Sequence, residues 1–303
     1  MLLIIPAIDL TSGQALRCIR GVPGTEQMYS QISEHPVELA QLWRRENAKC
    51  LHVTDLDSWK GQSSQLNDEM VVRMQRSIDV PIQYVTRRET VDAYRQLLEQ
   101  GVYRVALNVV VWTDPDGVQR LVEQYGPSRV IFGIRAHNGT IDLGEGAGTV
   151  SDEDFIRRVA ALGGKRVLYT EVDWEGNLTG EDVSTIHRIS ALAPIRLTMA
   201  GGIASPEHLW SLQRDVPSNV DSVVIGRAMY ENRFPCQGIW REIEADLEPG
   251  FHERAHTIVE QSSLTECDTP DQSRPTTGPA ESKLPRDASE PRQQHPNDQT
   301  PES

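Results

Sequence analysis

Ile4-Ile5-Pro6-Ala7-Ile8-Asp9, with Gly13 four positions beyond the aspartate, returns as Val130-Ile131-Phe132-Gly133-Ile134-Arg135, with Gly139 four positions beyond the arginine. Working outward, Leu51-His52-Val53-Thr54-Asp55-Leu56-Asp57 lies over Leu168-Tyr169-Thr170-Glu171-Val172-Asp173, each leading to a glycine, Gly61 or Gly176. Val102-Tyr103-Arg104-Val105-Ala106-Leu107-Asn108 then lies over Val220-Asp221-Ser222-Val223-Val224-Ile225-Gly226. Residues 1–115 and 128–240 therefore read as two copies of one βα-rich half. Self-similarity at half-domain length outranks a single motif as a fold signal. The copies have diverged, because only the second keeps its glycine loops.

Eight short runs rich in Val and Ile fall at 3–8, 50–55, 81–85, 103–108, 129–134, 166–171, 195–199 and 222–226. They lack polar alternation, which indicates burial on both faces, as in a parallel sheet. Between most of them lies a segment of helical period, such as Val37-Leu39-Ala40-Leu42-Trp43, Val91-Tyr94-Leu97-Leu98 or Phe155-Val159-Leu162. Strand and helix alternating eight times predict an α/β fold, a (β/α)8 barrel with internal half-barrel duplication. An open, doubly wound sheet is the alternative, and it leaves the duplication unexplained.

The domain organisation expected is a barrel over 1–247, a terminal helix or linker over 248–261, and a tail over 262–303. That tail carries Pro270, Pro275, Pro279, Pro285, Pro291, Pro296 and Pro301 among Ser, Thr, Gln, Asp and Glu. With almost no large apolar side chain it cannot offset its ordering entropy, so disorder is expected there. Composition of the whole chain is that of a soluble enzyme, with 38% hydrophobic and 24% charged residues. A net charge of -14 argues against nucleic acid or an anionic membrane as partner. No apolar stretch approaches the ~20 residues that span a bilayer, and the first five residues read as a buried strand rather than a leader. Cys18, Cys50, Cys236 and Cys267 form no CxxC pair, so neither a disulfide framework nor a zinc knuckle is expected, and a reducing cytoplasm is the default.

His252-Glu253-Arg254-Ala255-His256 fits HExxH, which on a helix would offer two imidazoles to zinc. It follows Pro249-Gly250 and lies beyond the last barrel helix, so it reads as a chance match. His52, His137 and His187 have no metal spacing and read as ordinary barrel or loop histidines. No metal and no cofactor are expected.

In a (β/α)8 barrel the chemistry sits at the C-terminal strand ends, with phosphate often held by the loops after strands 7 and 8. Ala200-Gly201-Gly202-Ile203-Ala204-Ser205 and Gly226-Arg227-Ala228-Met229-Tyr230 occupy those places. Glycine there lets backbone N–H groups approach phosphate oxygens, and two such loops together favour a phosphorylated small-molecule ligand.

These motifs, with Tyr169-Thr170-Glu171 and Gly176-Asn177-Leu178-Thr179-Gly180, resemble the ProFAR isomerase branch of the histidine-biosynthesis isomerase and cyclase family over residues 1–245. The resemblance implies a half-barrel-duplicated enzyme whose substrate carries a phosphate at each end, and an Amadori rearrangement of an aminoaldose to an aminoketose. That reaction wants one carboxylate to protonate the opening ring oxygen and another to take a proton from the adjacent carbon. The resemblance places them at the ends of strands 1 and 5. Asp9 fills the first place; Arg135 fills the second, and a guanidinium cannot transfer protons as a carboxylate does. Facing Asp9, Arg135 is also expected to lower that residue's pKa.

Catalytic candidates are thus Asp9, Arg135, Thr170, Glu171 and Glu175, with Asp173 as a further strand-end acid, and phosphate-binding candidates are Gly176, Gly201, Gly202, Gly226 and Arg227. Where the family has glycines after strands 3 and 4, this chain has Thr86-Arg87-Arg88 and Asn108-Val109-Val110. Side chains there block close backbone approach to phosphate, while Arg87 and Arg88 could bind another anion. Two function classes follow. One is a family enzyme acting on a smaller or differently shaped phosphorylated metabolite, in histidine synthesis or another pathway such as one-carbon cofactor synthesis. The other is a non-catalytic paralogue that binds a phosphorylated ligand or a partner protein.

Overall fold

The computed structural model describes residues 2–16, 35–144, 148–175 and 182–230. Gly176, the HExxH match, the 248–261 segment and the proline-rich tail lie outside the described residues. Eight strands form a closed parallel ring: β1 Leu3–Thr11, β2 Leu51–Asp55, β3 Ile82–Val85, β4 Arg104–Leu107, β5 Val130–His137, β6 Arg166–Glu171, β7 Arg196–Ala200 and β8 Val220–Ile225. Each pairs with its successor, and β8 closes onto β1 with Ile5 opposite Val224. This is the (β/α)8 barrel that the strand and helix alternation predicts.

The helices form because their apolar residues fall on one face, and several have side-chain caps. In Val91–Gln100 the Thr90 side chain accepts the Ala93 N–H, Gly101 ends the helix in the left-handed region (φ 109), and Val91, Tyr94, Leu97 and Leu98 are buried. Asp152–Ala161 repeats the scheme, with Ser151 as cap and Phe155, Ile156 and Val159 buried. Two cores result. The larger lies between strands and helices and includes Ile4, Tyr84, Phe132 and Tyr169. The smaller fills the barrel interior with Ile5, Ala7, Cys50, Val85, Ala106, Ile131, Leu168, Ala200 and Val224. Several of its members are small, which leaves room above them at the mouth.

β1 and β5 run three residues past the sequence expectation because each turns back on itself. β1 folds at Ser12-Gly13 onto Gln14–Leu16, and β5 at Asn138-Gly139 onto Thr140–Asp142. Both turns have two consecutive left-handed residues, with φ of 50 and 77 in the first and 51 and 74 in the second. Two-residue hairpins of this kind need that geometry, which favours Gly and Asn. The duplication is therefore conformational as well as sequential. The pairing Asp9↔Thr54↔Val85 in the first half corresponds to Arg135↔Thr170↔Ala200 in the second. Asp9 and Arg135 are equivalent positions. Among the described residues no helix is long and apolar enough to cross a membrane.

Candidate active site

The C-terminal mouth of the barrel encloses a cavity of about 480 Å3. Asp9, Arg135, Thr170, Glu175, Gly201, Gly202, Gly226 and Arg227 all line it, so the structure gathers most of the sequence candidates in one place. It also brings in His52, Thr54, Trp59 and Lys60, which sequence reading did not single out as site residues.

Asp9 is half-buried where β1 reaches the mouth. Burial pushes its pKa up to about 6; a hydrogen bond from Thr54 opposes the rise, Glu175 adds to it, and Arg135 opposes it least. Arg135 acts in the expected direction, but as the weakest of the four influences, so Asp9 ends above its ordinary value rather than below it. Removal from water outweighs the guanidinium, which is engaged elsewhere. Arg135 forms a hydrogen-bonded ion pair with Glu175 and lies 5.8 Å from the centre of the Trp59 ring.

Glu171 and Asp173 are turned to other tasks. Glu171 is buried, and its carboxylate accepts the Asn138 N–H at 3.1 Å, holding the β5 hairpin turn. Asp173 lies 3.3 Å from His137 at an exposed position. Neither lines the cavity, so Glu175 is the acid that shares it with Asp9.

The two glycine loops differ in why they need glycine. Gly201 and Gly202 are both left-handed, with φ of 99 and 84. A Cβ on Gly201 would also come within 3.2 Å of the Glu175 backbone nitrogen. At Gly226 a Cβ would meet only Ala7 Cβ, at 3.6 Å, an ordinary contact. Protein packing therefore does not demand glycine at 226, and the space it leaves open belongs to the cavity.

The first-half loops are built differently. Continuing the register, Thr86 and Arg87 stand where the second half has Gly201 and Gly202, and Asn108 stands for Gly226. Asn108 donates to the Thr86 carbonyl (2.9 Å) and accepts from Tyr94 Oη (3.1 Å), stitching the β3 and β4 loops together. Arg87 donates to the Leu143 carbonyl at 3.1 Å and lies 3.6 Å from Glu89. Arg88 pairs with Asp68, and its guanidinium is 3.7 Å from buried Asp55. Neither arginine lines the cavity. Among the described residues no group of three or more His, Cys, Asp or Glu side chains is placed to hold a metal ion.

A family model described as "Histidine biosynthesis protein" matches residues 3–235. An imidazole-4-carboxamide isomerase of Salinibacter ruber, whose full name carries two 5-phosphoribosyl groups, is 35% identical over 246 residues, spanning 79% of this chain and 93% of the relative. The isomerases of the same name from Chlorobium phaeovibrioides and Chlorobaculum parvum are 32% and 34% identical, each over 81% of this chain, and over 95% and 94% of their own lengths.

Proposed function

Because this chain belongs to the histidine biosynthesis protein family, we propose that its barrel is an isomerase of a phosphorylated amino sugar, with Asp9 as the proton-transferring carboxylate. The supporting observation is the meeting of three parts in one cavity: a half-buried carboxyl titrating at about 6, the left-handed Gly201-Gly202 pair, and the open space at Gly226.

The backbone at Gly201, Gly202 and Gly226 can approach phosphate oxygens closely, with the Arg227 side chain beside them. A phosphate held there places the sugar over Asp9. Protonated Asp9 gives its proton to the ring oxygen as the C1–O bond breaks, leaving a Schiff base at C1. With a guanidinium in the place of the second carboxylate, the resulting Asp9 carboxylate also takes the C2 proton, and the enolamine becomes an aminoketose when C1 is protonated and the C2 hydroxyl loses its proton. No proton is gained or lost overall. A carboxyl titrating near 6 suits both halves of this exchange, since near neutrality it holds and releases a proton at similar cost.

The substrate departs from that of the named relatives at its other end. Their name carries two 5-phosphoribosyl groups, whereas the first-half loops here carry Thr86, Arg87 and Asn108 in place of glycines, tied to each other and to Leu143. The ligand accordingly bears one phosphate, at the β7 and β8 end. Its other end meets Trp59, Lys60 and the Arg135–Glu175 pair.

A second reading is favoured by one observation, the guanidinium at the position equivalent to Asp9. In it the barrel binds a phosphorylated ligand without turnover. A metabolite-turnover screen of wild type beside Asp9→Asn separates the two. Turnover that disappears in Asp9→Asn, with phosphosugar binding retained, supports the isomerase; binding without turnover in both supports the binder. Expression in a histidine auxotroph lacking its isomerase should give little rescue. Robust growth would overturn the role assigned to Arg135 and the single-phosphate substrate.

A further inference from the structure

The inward-facing side chains around and beneath Asp9 differ between the barrel halves in a way that phosphate binding does not explain. Gln83 Nε2 of β3 lies 3.1 Å from His52 Nδ1 of β2, His52 Nε2 lies 3.1 Å from Thr54 Oγ1, and Thr54 stands directly opposite Asp9 in the pairing of β1 with β2, where its hydroxyl favours the charged carboxylate. Their second-half equivalents are Thr198, Leu168, Thr170 and Arg135. There Leu168 interrupts any such path, and Thr198 bonds to Ser222 and Arg166 instead. A continuous polar chain therefore stands in the half whose strand ends in a carboxylate.

The chain has a direction. An amide nitrogen only donates, so His52 Nδ1 is the acceptor. Burial pushes the His52 pKa down to about 4, which keeps the ring neutral with its one hydrogen on Nε2. That hydrogen goes to Thr54 Oγ1, leaving the Thr54 hydrogen for Asp9. The arrangement carries a penalty at its far end. Gln83 is fully buried, and its Oε1 has no hydrogen-bond partner among the described residues. Turning the amide over would give that oxygen a partner, but the His52 hydrogen would then sit on Nδ1, and Thr54 would donate to His52 rather than Asp9. With Nε2 toward His52 the Thr54 hydrogen is left for Asp9, the unpaired Oε1 is the cost of that placement, and the His52 tautomer is what tests it.

We infer that Gln83, His52 and Thr54 are positioning residues, a one-way hydrogen-bond chain that aims a donor at Asp9, fixes the carboxylate's orientation and limits its affinity for protons. Without a donor to its charged form, the carboxyl would be ionised in fewer molecules near neutrality, leaving fewer able to take a proton. The inference rests on the proposed role of Asp9 as proton carrier. Arg135 from β5 and Glu175 beyond β6 also face Asp9, with opposite signs, and Lys60 and Arg227 line the same cavity. All four remain in place in the variants below.

The test uses the ligand-free full chain, so a missing turnover would remove the isomerase reading without touching this result. The Asp9 carboxyl carbon is followed by NMR against pH, its signal identified by its loss in Asp9→Asn. Thr54→Val, of nearly the same shape, should raise the Asp9 midpoint by about one pH unit, and Thr54→Ser should restore it. His52→Leu should raise it by less, because Thr54 keeps its hydroxyl but loses the partner that directs it. Nitrogen-15 shifts of wild-type His52 should show the Nε2–H tautomer at neutral pH. A His52 bearing its hydrogen on Nδ1, or an Asp9 midpoint in Thr54→Val within about 0.2 pH units of wild type, would overturn the chain. If Thr54→Val does not fold, the His52 tautomer and the His52→Leu titration still decide.

Discussion

Asp9→Asn should stabilise the protein at neutral pH and scarcely affect it in acid. Asp9 titrates at about 6 in the folded chain against an ordinary value of 3.8. Between those values the folded state binds more protons than the unfolded state, so unfolding free energy falls as pH rises through the window. Below it both states are protonated and the residue contributes nothing; above it the full penalty is present. That gap corresponds to roughly 3 kcal/mol at neutral pH, taking about 1.36 kcal/mol per pH unit. Partial exposure of Asp9 screens the charge, so roughly 1–3 kcal/mol is the working range. Asparagine keeps the shape and still accepts from Thr54, but has no charge to desolvate. The difference should appear as a Tm higher by about 3–10 °C near pH 7.5, falling to a small fraction of that near pH 4. Thermal or urea unfolding of both proteins at the two pH values measures it, and taking the difference cancels the other carboxylates. A difference independent of pH, or a variant less stable near pH 7.5, would refute burial as the dominant influence on Asp9.

Two further outcomes test the phosphate grip and the first-half loops. Gly202→Asp puts a negative side chain on a left-handed backbone (φ 84) at the proposed grip, so phosphosugar affinity measured by calorimetry should fall by about 100-fold or more; unchanged affinity would remove Gly202 from the site. Arg88→Met takes the guanidinium away from Asp68 and from fully buried Asp55. Urea unfolding should then show a loss of about 2–4 kcal/mol, and a loss below about 0.5 kcal/mol would mean that Arg88 does not stabilise those carboxylates.

Much of this was legible in the sequence because the barrel imposes strong local patterns. Runs of Val and Ile buried on both faces, and helices with single apolar faces such as Val91–Gln100, announce themselves through periodicity. Gly13 and Gly139 served to align the halves, but their role as hairpin turns lay in the preceding Ser12 and Asn138, a two-residue signal that the strand pattern overrode. Side-chain direction beyond a strand end was not legible. Glu171 and Glu175 are four residues apart, yet one braces a turn and the other faces the cavity, because the chain has left the strand between them. Trp59 ends, and Lys60 caps, a single helical turn, Leu56–Trp59, too short to show a period. The polar chain could have been found: His52 and Thr54 occupy alternate positions of one strand, and polar residues on the inward face of a barrel strand need partners.

The two halves share one scaffold yet face the cavity with different charges, because the parts that hold them together are not the parts that line the cavity. Apolar contacts between strands and helices hold both halves alike, and the equivalent hairpins at Ser12-Gly13 and Asn138-Gly139 set Asp9 and Arg135 at matching heights over one cavity. Exchanging a carboxylate for a guanidinium at such a position leaves that packing untouched and alters only the charges facing the ligand. The same holds for the loops. In the second half, backbone conformations open to glycine leave space for a ligand, while in the first half Asn108 and Tyr94 fill the corresponding space with hydrogen bonds of their own. In the proposed isomerase reading, one open end and one stitched end give the ligand a single orientation. For the single-phosphate substrate proposed above, that asymmetry takes the part of a second phosphate site: it would decide which carbon comes to rest over Asp9.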